Sequence, residues 1–262
     1  MSYQHINFDI ADNIGVITLN RPDDANAIHK PMVEELADIA MRCYRDSEVR
    51  AAVLTGSGAM FCGGGDLKAF NDLGDDVADY VDQTATVLHL AISRFSRMNA
   101  PLVMAVNGTA AGGGFSLALA GDYVIAAEGA KFISAYTASG LTPDGSSTYH
   151  LAKHVGLLRA KELILTNRLL SAEEACAWGI VSKVVPSDQL MDEAMGLAAK
   201  FAAGPTKAFG VAKNLLTTAY SESLEAQLDA ESRGIALTMG SRDGRHGIDA
   251  FYNKKKPEFI GE

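Results

Sequence analysis

The sequence predicts an α/β fold in which strands run into loops and then helices, closed by a helical appendage. Three observations carry that expectation. β-Branched apolar runs recur ahead of segments with helical spacing, two glycine triplets sit between them, and strand signals fade after about Ser146.

Ile14 to Leu19 is the first such run, ended by the turn signal Arg21-Pro22-Asp23-Asp24. Pro31 fits the first turn of a helix on which Val33, Leu36, Ala37, Ile39, Ala40, Cys43 and Tyr44 recur at helical spacing. A second strand, Ala51 to Thr55, leads into a glycine-rich loop that ends Cys62-Gly63-Gly64-Gly65-Asp66-Leu67. The acidic stretch Asp72 to Asp82 reads as a solvated loop before a helix carrying Val81, Leu88, Ile92 and Phe95 on one side. Leu102 to Val106 is a third strand, followed by Ala111-Gly112-Gly113-Gly114-Phe115, and Tyr123 to Ala127 is a short fourth. Strands that each feed a loop and a helix imply right-handed crossovers. From about Ser146 the chain reads as almost wholly helical, with a capping box at Ser171-Ala-Glu-Glu174 and a stop and restart at Gly204-Pro205. Residues 1–200 are expected to form the core and 201–262 the helical region.

Across 262 residues, 32 acidic and 23 basic side chains leave a formal charge of −9, which argues against a nucleic-acid binder held by phosphate neutralisation. The uncharged stretch Met98 to Gly121 has the length of a membrane span, but Pro101, Asn107, Gly108 and the glycine run would break a spanning helix. Cys43, Cys62 and Cys176 form no CxxC pair, so neither a disulfide framework nor a metal site is expected. With no signal-peptide pattern at MSYQHINFDI, a cytoplasmic location is the expectation.

Glycine loses the most entropy on folding, so two triplets after strands need a cause. One cause is tight turns and close helix packing; the other is backbone N–H groups offered to an anionic ligand atom. Parallel strands would bring the two loops to one sheet edge. Neither triplet matches GxxxxGK[ST] or GxGxxG, which makes a nucleotide-phosphate cradle the weaker alternative.

The chain resembles the crotonase (enoyl-CoA hydratase/isomerase) superfamily over nearly its whole length. The resemblance runs through Ile17 to Pro22, Asn26-Ala27, Val53 to Gly56 and Phe61 to Leu67. It continues through Pro101, Asn107-Gly108, Ala111 to Gly114, Gly121-Asp122, Ala130-Lys-Phe132, Leu169 to Gly179, Val181 to Val185 and Phe251 to Phe259. It implies a spiral of ββα units with a C-terminal helical trimerisation region, and hence a homotrimer or a dimer of trimers. Apolar Leu197, Phe201, Leu215, Leu216, Leu224, Leu228 and Ile235 in the helical stretch after Ser171 point the same way.

The resemblance further implies an acyl-CoA thioester as substrate, no separate cofactor because CoA belongs to the substrate, and an oxyanion hole from the N–H groups of Gly65 and Gly113. Ala25, Ala27, Gly63, Asp66, Leu67, Ser116 and Tyr136 are implied to contact the substrate, and residues between Leu67 and Arg97 to face the acyl group. The two glutamates of the hydratases would fall at Ser116 and Tyr136, so hydration by a glutamate pair is not expected.

The carboxylate that remains is Asp144, in Gly140-Leu-Thr-Pro-Asp-Gly145. Read from the residues alone, it caps the following helix. By resemblance it matches the aspartate base of phenylacetate-pathway enoyl-CoA isomerases and the nucleophile of 4-chlorobenzoyl-CoA dehalogenases. His89, read alone, edges an apolar helix face, whereas its spacing also resembles the dehalogenases' histidine. Three functions follow: double-bond isomerisation with Asp144 as acid/base, hydrolytic aryl-CoA dehalogenation or acyl-CoA hydrolysis with Asp144 as nucleophile and His89 assisting, and acyl-CoA binding without turnover. His150, His154 and His246 read as surface or packing residues, and Trp178 as core.

Overall fold

The computed structural model describes residues 3–262. Its larger sheet has six strands: β1 (Ile6–Ala11), β2 (Ile14–Leu19), β3 (Ala51–Gly56), β5 (Leu102–Val106), β7 (Tyr123–Ala127) and β10 (Lys183–Val185), in the order β1-β2-β3-β5-β7-β10. Only the β1–β2 hairpin is antiparallel. β3 and β5 are buried along their whole length, as central parallel strands covered on both faces must be. β1 adds to the expected strands: Ile6, Phe8 and Ile10 turn inward and alternate with residues facing solvent, the pattern of a half-buried edge.

A smaller sheet runs beside it: β4 (Met60–Cys62), β6 (Thr109–Ala111), β8 (Lys131–Ile133) and β9 (Leu170–Ser171), in that order. Each repeat therefore lays a long strand in the first sheet, a short strand in the second, and then a helix. β3 and β4 lead into α2 (Leu67–Asp72) and α3 (Val77–Arg97), β5 and β6 into α4 (Gly113–Leu119), and β7 and β8 into α5 (Ser147–Val155). Successive repeats stack because β3, β5 and β7 pair in one sheet while β4, β6 and β8 pair in the other.

The expected strands hold at 14–19, 51–56, 102–106 and 123–127. One expectation needs refining and another correcting. The chain after Ser146 is mostly helical as expected, but it also supplies two short strands with no sequence signal, β9 and β10, one to each sheet. Asp72 to Asp82 is not a loop: α3 begins at Val77 and carries Asp79 in its first turn, where a carboxylate favours the positive end of the helix dipole.

One face of the larger sheet packs on α1 (Lys30–Arg45) and α3 through Leu36, Ile39, Leu88 and Phe95. On the other face, Ala194, Ala198 and Ala202 of α8 (Leu190–Ala202) lie against Val53, Val103, Ala105 and Ile125. Tyr44 is an exception to the expected face of α1: it is exposed, beneath the guanidinium of Arg94. α6 (Leu157–Thr166) and α7 (Ala172–Ala177) follow α5, and α7 opens with the expected capping box at Ser171 and Glu174. Trp178 is only partly buried, between the guanidinium groups of Arg159 and Arg168.

Lys213 on α9 (Thr206–Thr218) pairs with Asp122 and donates to the carbonyls of Ala100 at 3.0 Å and Phe95 at 3.4 Å. Asp122 in turn accepts the Leu102 N–H at 2.7 Å, so one ion pair ties the C-terminal helices to the start of β5. After α10 (Leu224–Met239) and α11 (Arg242–Tyr252), buried Asp243 accepts the N–H groups of Ile260 and Gly261, each at 2.8 Å, and holds the tail against the body. Among the described residues, no helix is long and apolar enough to cross a membrane.

Two histidines make stability sensitive to acid. Burial, reinforced by Arg21 and His5, pushes His29 down to about 4; burial, with His154 and Lys153 nearby, does the same for His150. Between the ordinary value of 6.5 and about 4, the unfolded chain takes up protons that the folded one refuses. Stability contributed by the two neutral rings is therefore complete above that window and lost as the pH falls through it. A His29→Gln/His150→Gln variant is expected to lose less Tm than the parent between pH 6.5 and 4. Equal losses would contradict this.

Candidate active site

β4 and β6 are neighbours, so the loops that leave them, Gly63-Gly64-Gly65 and Gly112-Gly113, lie side by side. The triplets thus share an edge as expected, but it is the edge of the short strands rather than of 51–56 and 102–106. The backbone explains which groups are spare. Around the single bridge between Ile28 and Gly65, the Ile28 N–H bonds Gly64 O at 2.7 Å and the Asp66 N–H bonds Ile28 O at 2.9 Å. This alternation turns the Gly65 N–H away from Ile28. Gly113 is the first residue of α4, so its N–H has no partner within the helix. Among the described residues neither N–H reaches a protein acceptor.

Gly114 answers a different need. A Cβ there would overlap the Cys62 carbonyl and lie 2.6 Å from Cys62 Cβ, so this glycine lets α4 press on β4.

Gly65 and Gly113 line a cavity of about 470 Å³ with Ile28, Phe70, Val81, Leu88, Leu141 and Asp144. Leu67, Gly63 and Tyr136 also line it. The expected residues between Leu67 and Arg97 thus supply much of its apolar wall. Ile28 and Leu141 are additions: buried Ile28 sits in a single-residue bridge and half-exposed Leu141 in an irregular segment, where no periodicity marks a lining residue.

Four residues expected at the substrate stand outside this lining. Ala25 accepts the Gly63 N–H at 2.8 Å and Ala27 accepts Arg21, so both support the first glycine loop from behind. Asp66 caps α2 through the Ala69 N–H at 3.1 Å and pairs with Arg21 at 3.1 Å. Burial raises its pKa, but these two partners outweigh that and hold the carboxyl below the usual carboxylate range. Ser116 is fully buried in α4 and bonded to protein groups. Cys62 beneath the loop is no nucleophile, because burial pushes its thiol up to about 12.

On the lining of the same cavity, the turn after Pro143 presents Asp144. The residue-only expectation that Asp144 caps the next helix does not hold. Ser146 occupies the cap position of α5, and the Asp144 carboxylate takes the N–H of Gly145 and the Nε2 of His89 instead. With Asp144 ionised, His89 Nε2 is the donor. The sequence signals for Asp144 and His89 therefore converge on one contact. Their side chains stay 35% and 51% exposed, so the pair remains accessible.

Asp144 borders two spaces. His89 is absent from the apolar lining and faces a second, more open hollow of about 550 Å³ with Ser93, Thr148 and His150. The rings of half-buried His150 and exposed His154 stack on each other, and His246 accepts the Glu258 N–H at 3.2 Å. No group of three or more metal-ligating side chains occurs among the described residues. The arrangement puts two backbone donors and the Asp144 carboxylate on the lining of one largely apolar cavity, a set of groups that can polarise a carbonyl oxygen while moving a proton at a nearby carbon.

Comparison with known proteins finds relatives over nearly the whole chain. Residues 9–262 match the family model described as enoyl-CoA hydratase/isomerase. A 1,2-epoxyphenylacetyl-CoA isomerase from Escherichia coli is 37% identical over 97% of each chain. A 4-chlorobenzoyl coenzyme A dehalogenase from Arthrobacter is 33% identical over 97% of this chain and 92% of its own. The crystal structure of an enoyl-CoA hydratase from Polaromonas superposes with a TM-score of 0.92 at 31% identity, covering 97% of this chain and 99% of that one.

Proposed function

The chain belongs to the enoyl-CoA hydratase/isomerase family, and within it we propose that this protein shifts a carbon–carbon double bond along an acyl-CoA. The observation that supports the reading is a cavity lined both by Asp144 and by Gly65 and Gly113, whose N–H groups reach no protein acceptor among the described residues. Asp82, the other carboxylate of the lining, is solvent-exposed, and Ser116 and Tyr136 stand where the family's hydratases carry glutamates.

In this mechanism the Asp144 carboxylate removes a proton from the carbon γ to the thioester. The electron pair moves through the double bond to the carbonyl oxygen, and the dienolate oxygen accepts hydrogen bonds from Gly65 and Gly113. Asp144 then returns the proton at the α carbon. A single carboxylate suffices, because the same group is base and then acid. A preorganised donor of this kind supplies about 3 to 4 kcal/mol of transition-state stabilisation.

The contact between His89 and Asp144 favours a second reading. Asp144 would displace a leaving group from an aryl-CoA, and His89 would take a proton from the water that releases the product. Mass spectrometry on a panel of 3-enoyl-, 2-enoyl- and aryl-CoA thioesters separates the outcomes. Isomerisation leaves the mass unchanged, hydration adds water, and hydrolysis releases CoA or halide. Isomer formation supports the first reading; hydrate, free CoA or halide as the main product overturns it.

We also assign the exposed apolar faces of the last helices to self-association. Leu216, Leu224, Leu228 and Ile235 are each more than half exposed, and Phe251 is 87% exposed. Light scattering at micromolar concentration is expected to give three or six times the chain mass. A monomer would contradict this.

A further inference from the structure

Ser116 and Tyr136 meet beneath the turn that carries Asp144. Their hydroxyl oxygens are 2.9 Å apart, and the Asp144 carbonyl oxygen lies 2.7 Å from Ser116 Oγ and 3.3 Å from the Tyr136 hydroxyl. Each hydroxyl has one proton to give, and the carbonyl only accepts. The shortest contacts are satisfied together when Tyr136 donates to Ser116 and Ser116 donates to the carbonyl of Asp144. Ser116 Oγ also lies 3.2 Å from Gly112 O, a longer contact that its single proton leaves unfilled.

The turn is seated on the same serine. Gly145 has φ +61°, and a Cβ there would stand 2.9 Å from Ser116 Cβ, so the backbone beside Asp144 lies against this side chain. On the open side, the Asp144 carboxylate is held, among the described residues, by the Gly145 N–H and by His89, whose side chain is half exposed. Burial pushes the Tyr136 phenol up to about 12, so it stays protonated and able to donate at neutral pH.

We infer that Ser116 and Tyr136 are positioning residues, a hydroxyl relay that grips the Asp144 carbonyl and sets how far its carboxylate reaches toward the bound acyl chain. The two places where glutamates act in the family's hydratases would then support a third residue that acts in their stead. The inference rests on Asp144 being the reacting group.

The test compares Ser116→Ala, Ser116→Cys and Tyr136→Phe, each in the parent and in an Asp144→Asn background, by kcat, KM, Tm and acyl-CoA titration. Ser116→Cys keeps the size but is a weak donor, and Tyr136→Phe removes one oxygen and serves if the serine variants fold poorly. Each variant is expected to lower kcat by roughly tenfold to a hundredfold, the scale of a misplacement of about 1 Å, with KM and titrated affinity little changed. In the Asp144→Asn background the same changes should leave the residual turnover where it is. If Asp144→Asn abolishes turnover while Tyr136→Phe and folded Ser116 variants keep the parent kcat, the positioning role is overturned. Equal kcat losses in both backgrounds would also overturn it, as a merely structural role would produce them. Parental turnover by Asp144→Asn would instead remove the reading on which the inference rests.

Discussion

Asp144→Asn is expected to bind acyl-CoA like the parent and to turn it over about a hundredfold to ten-thousandfold more slowly, the usual contribution of a general acid/base group. Binding should survive because the groups assigned to the thioester oxygen are backbone N–H groups of Gly65 and Gly113, which the substitution does not touch. Folding should survive because the asparagine keeps the size, can still accept from Gly145, and removes no helix cap: Ser146, not Asp144, holds that position. Turnover within about threefold of the parent, far below that expected loss, would contradict the role. His89→Gln separates the two chemistries. Isomerisation needs only the carboxylate and should fall less than in Asp144→Asn, whereas a hydrolytic route needs the imidazole as well.

Lys213→Met is expected to cause a large loss of stability. It keeps an apolar stem of similar length but leaves the Asp122 carboxylate without its counter-charge and the Ala100 and Phe95 carbonyls without a donor. The Lys213 side chain is 11% exposed and that of Asp122 27%, so solvent replaces little of what is lost. A cost of about 3 kcal/mol, the low end for breaking a buried pair, is expected. That corresponds to roughly 6 to 12 °C in Tm for a domain of this size. Burial raises the Asp122 pKa and Lys213 pulls it back, so without the lysine the carboxyl titrates higher still. The deficit should therefore shrink as the pH falls and Asp122 takes up a proton. A deficit below about 1 kcal/mol at neutral pH, the scale of an exposed pair, would show that the contact does not hold α9 in place.

How much of this was readable before the structure depended on element length. Leu102 to Val106 announces itself because five consecutive apolar residues fill a strand buried on both faces, and Ile14 to Leu19 because β-branched residues dominate it. β4, β6 and β8 have three residues each, too few for any alternation to stand out, yet they bring the two glycine loops and Tyr136 together. The loops could be found as motifs while the edge they share was misplaced.

The site follows the same rule. Asp144 and His89 are 55 positions apart, and no local pattern joins them; only the family's spacing singled out both. Local reasoning alone favoured a helix cap for Asp144, since proline before and glycine after an aspartate is a common turn. It failed because Ser146, left-handed at φ +67°, takes the cap position directly before α5. The relay from Tyr136 through Ser116 was equally invisible, because its acceptor is a main-chain carbonyl that no sequence pattern marks.

The central claim is that Asp144 moves a proton at a dienolate held by the two glycine N–H groups. Conversion between a 3-enoyl-CoA and its conjugated 2-enoyl isomer, followed by ultraviolet absorbance with mass spectrometry of the product, tests it most directly. The parent is expected to interconvert the two at unchanged mass, with no free CoA and no added water, and Asp144→Asn is expected to be slower by at least about a hundredfold. A parent that leaves both isomers untouched, or an Asp144→Asn variant that matches the parent, would contradict the account.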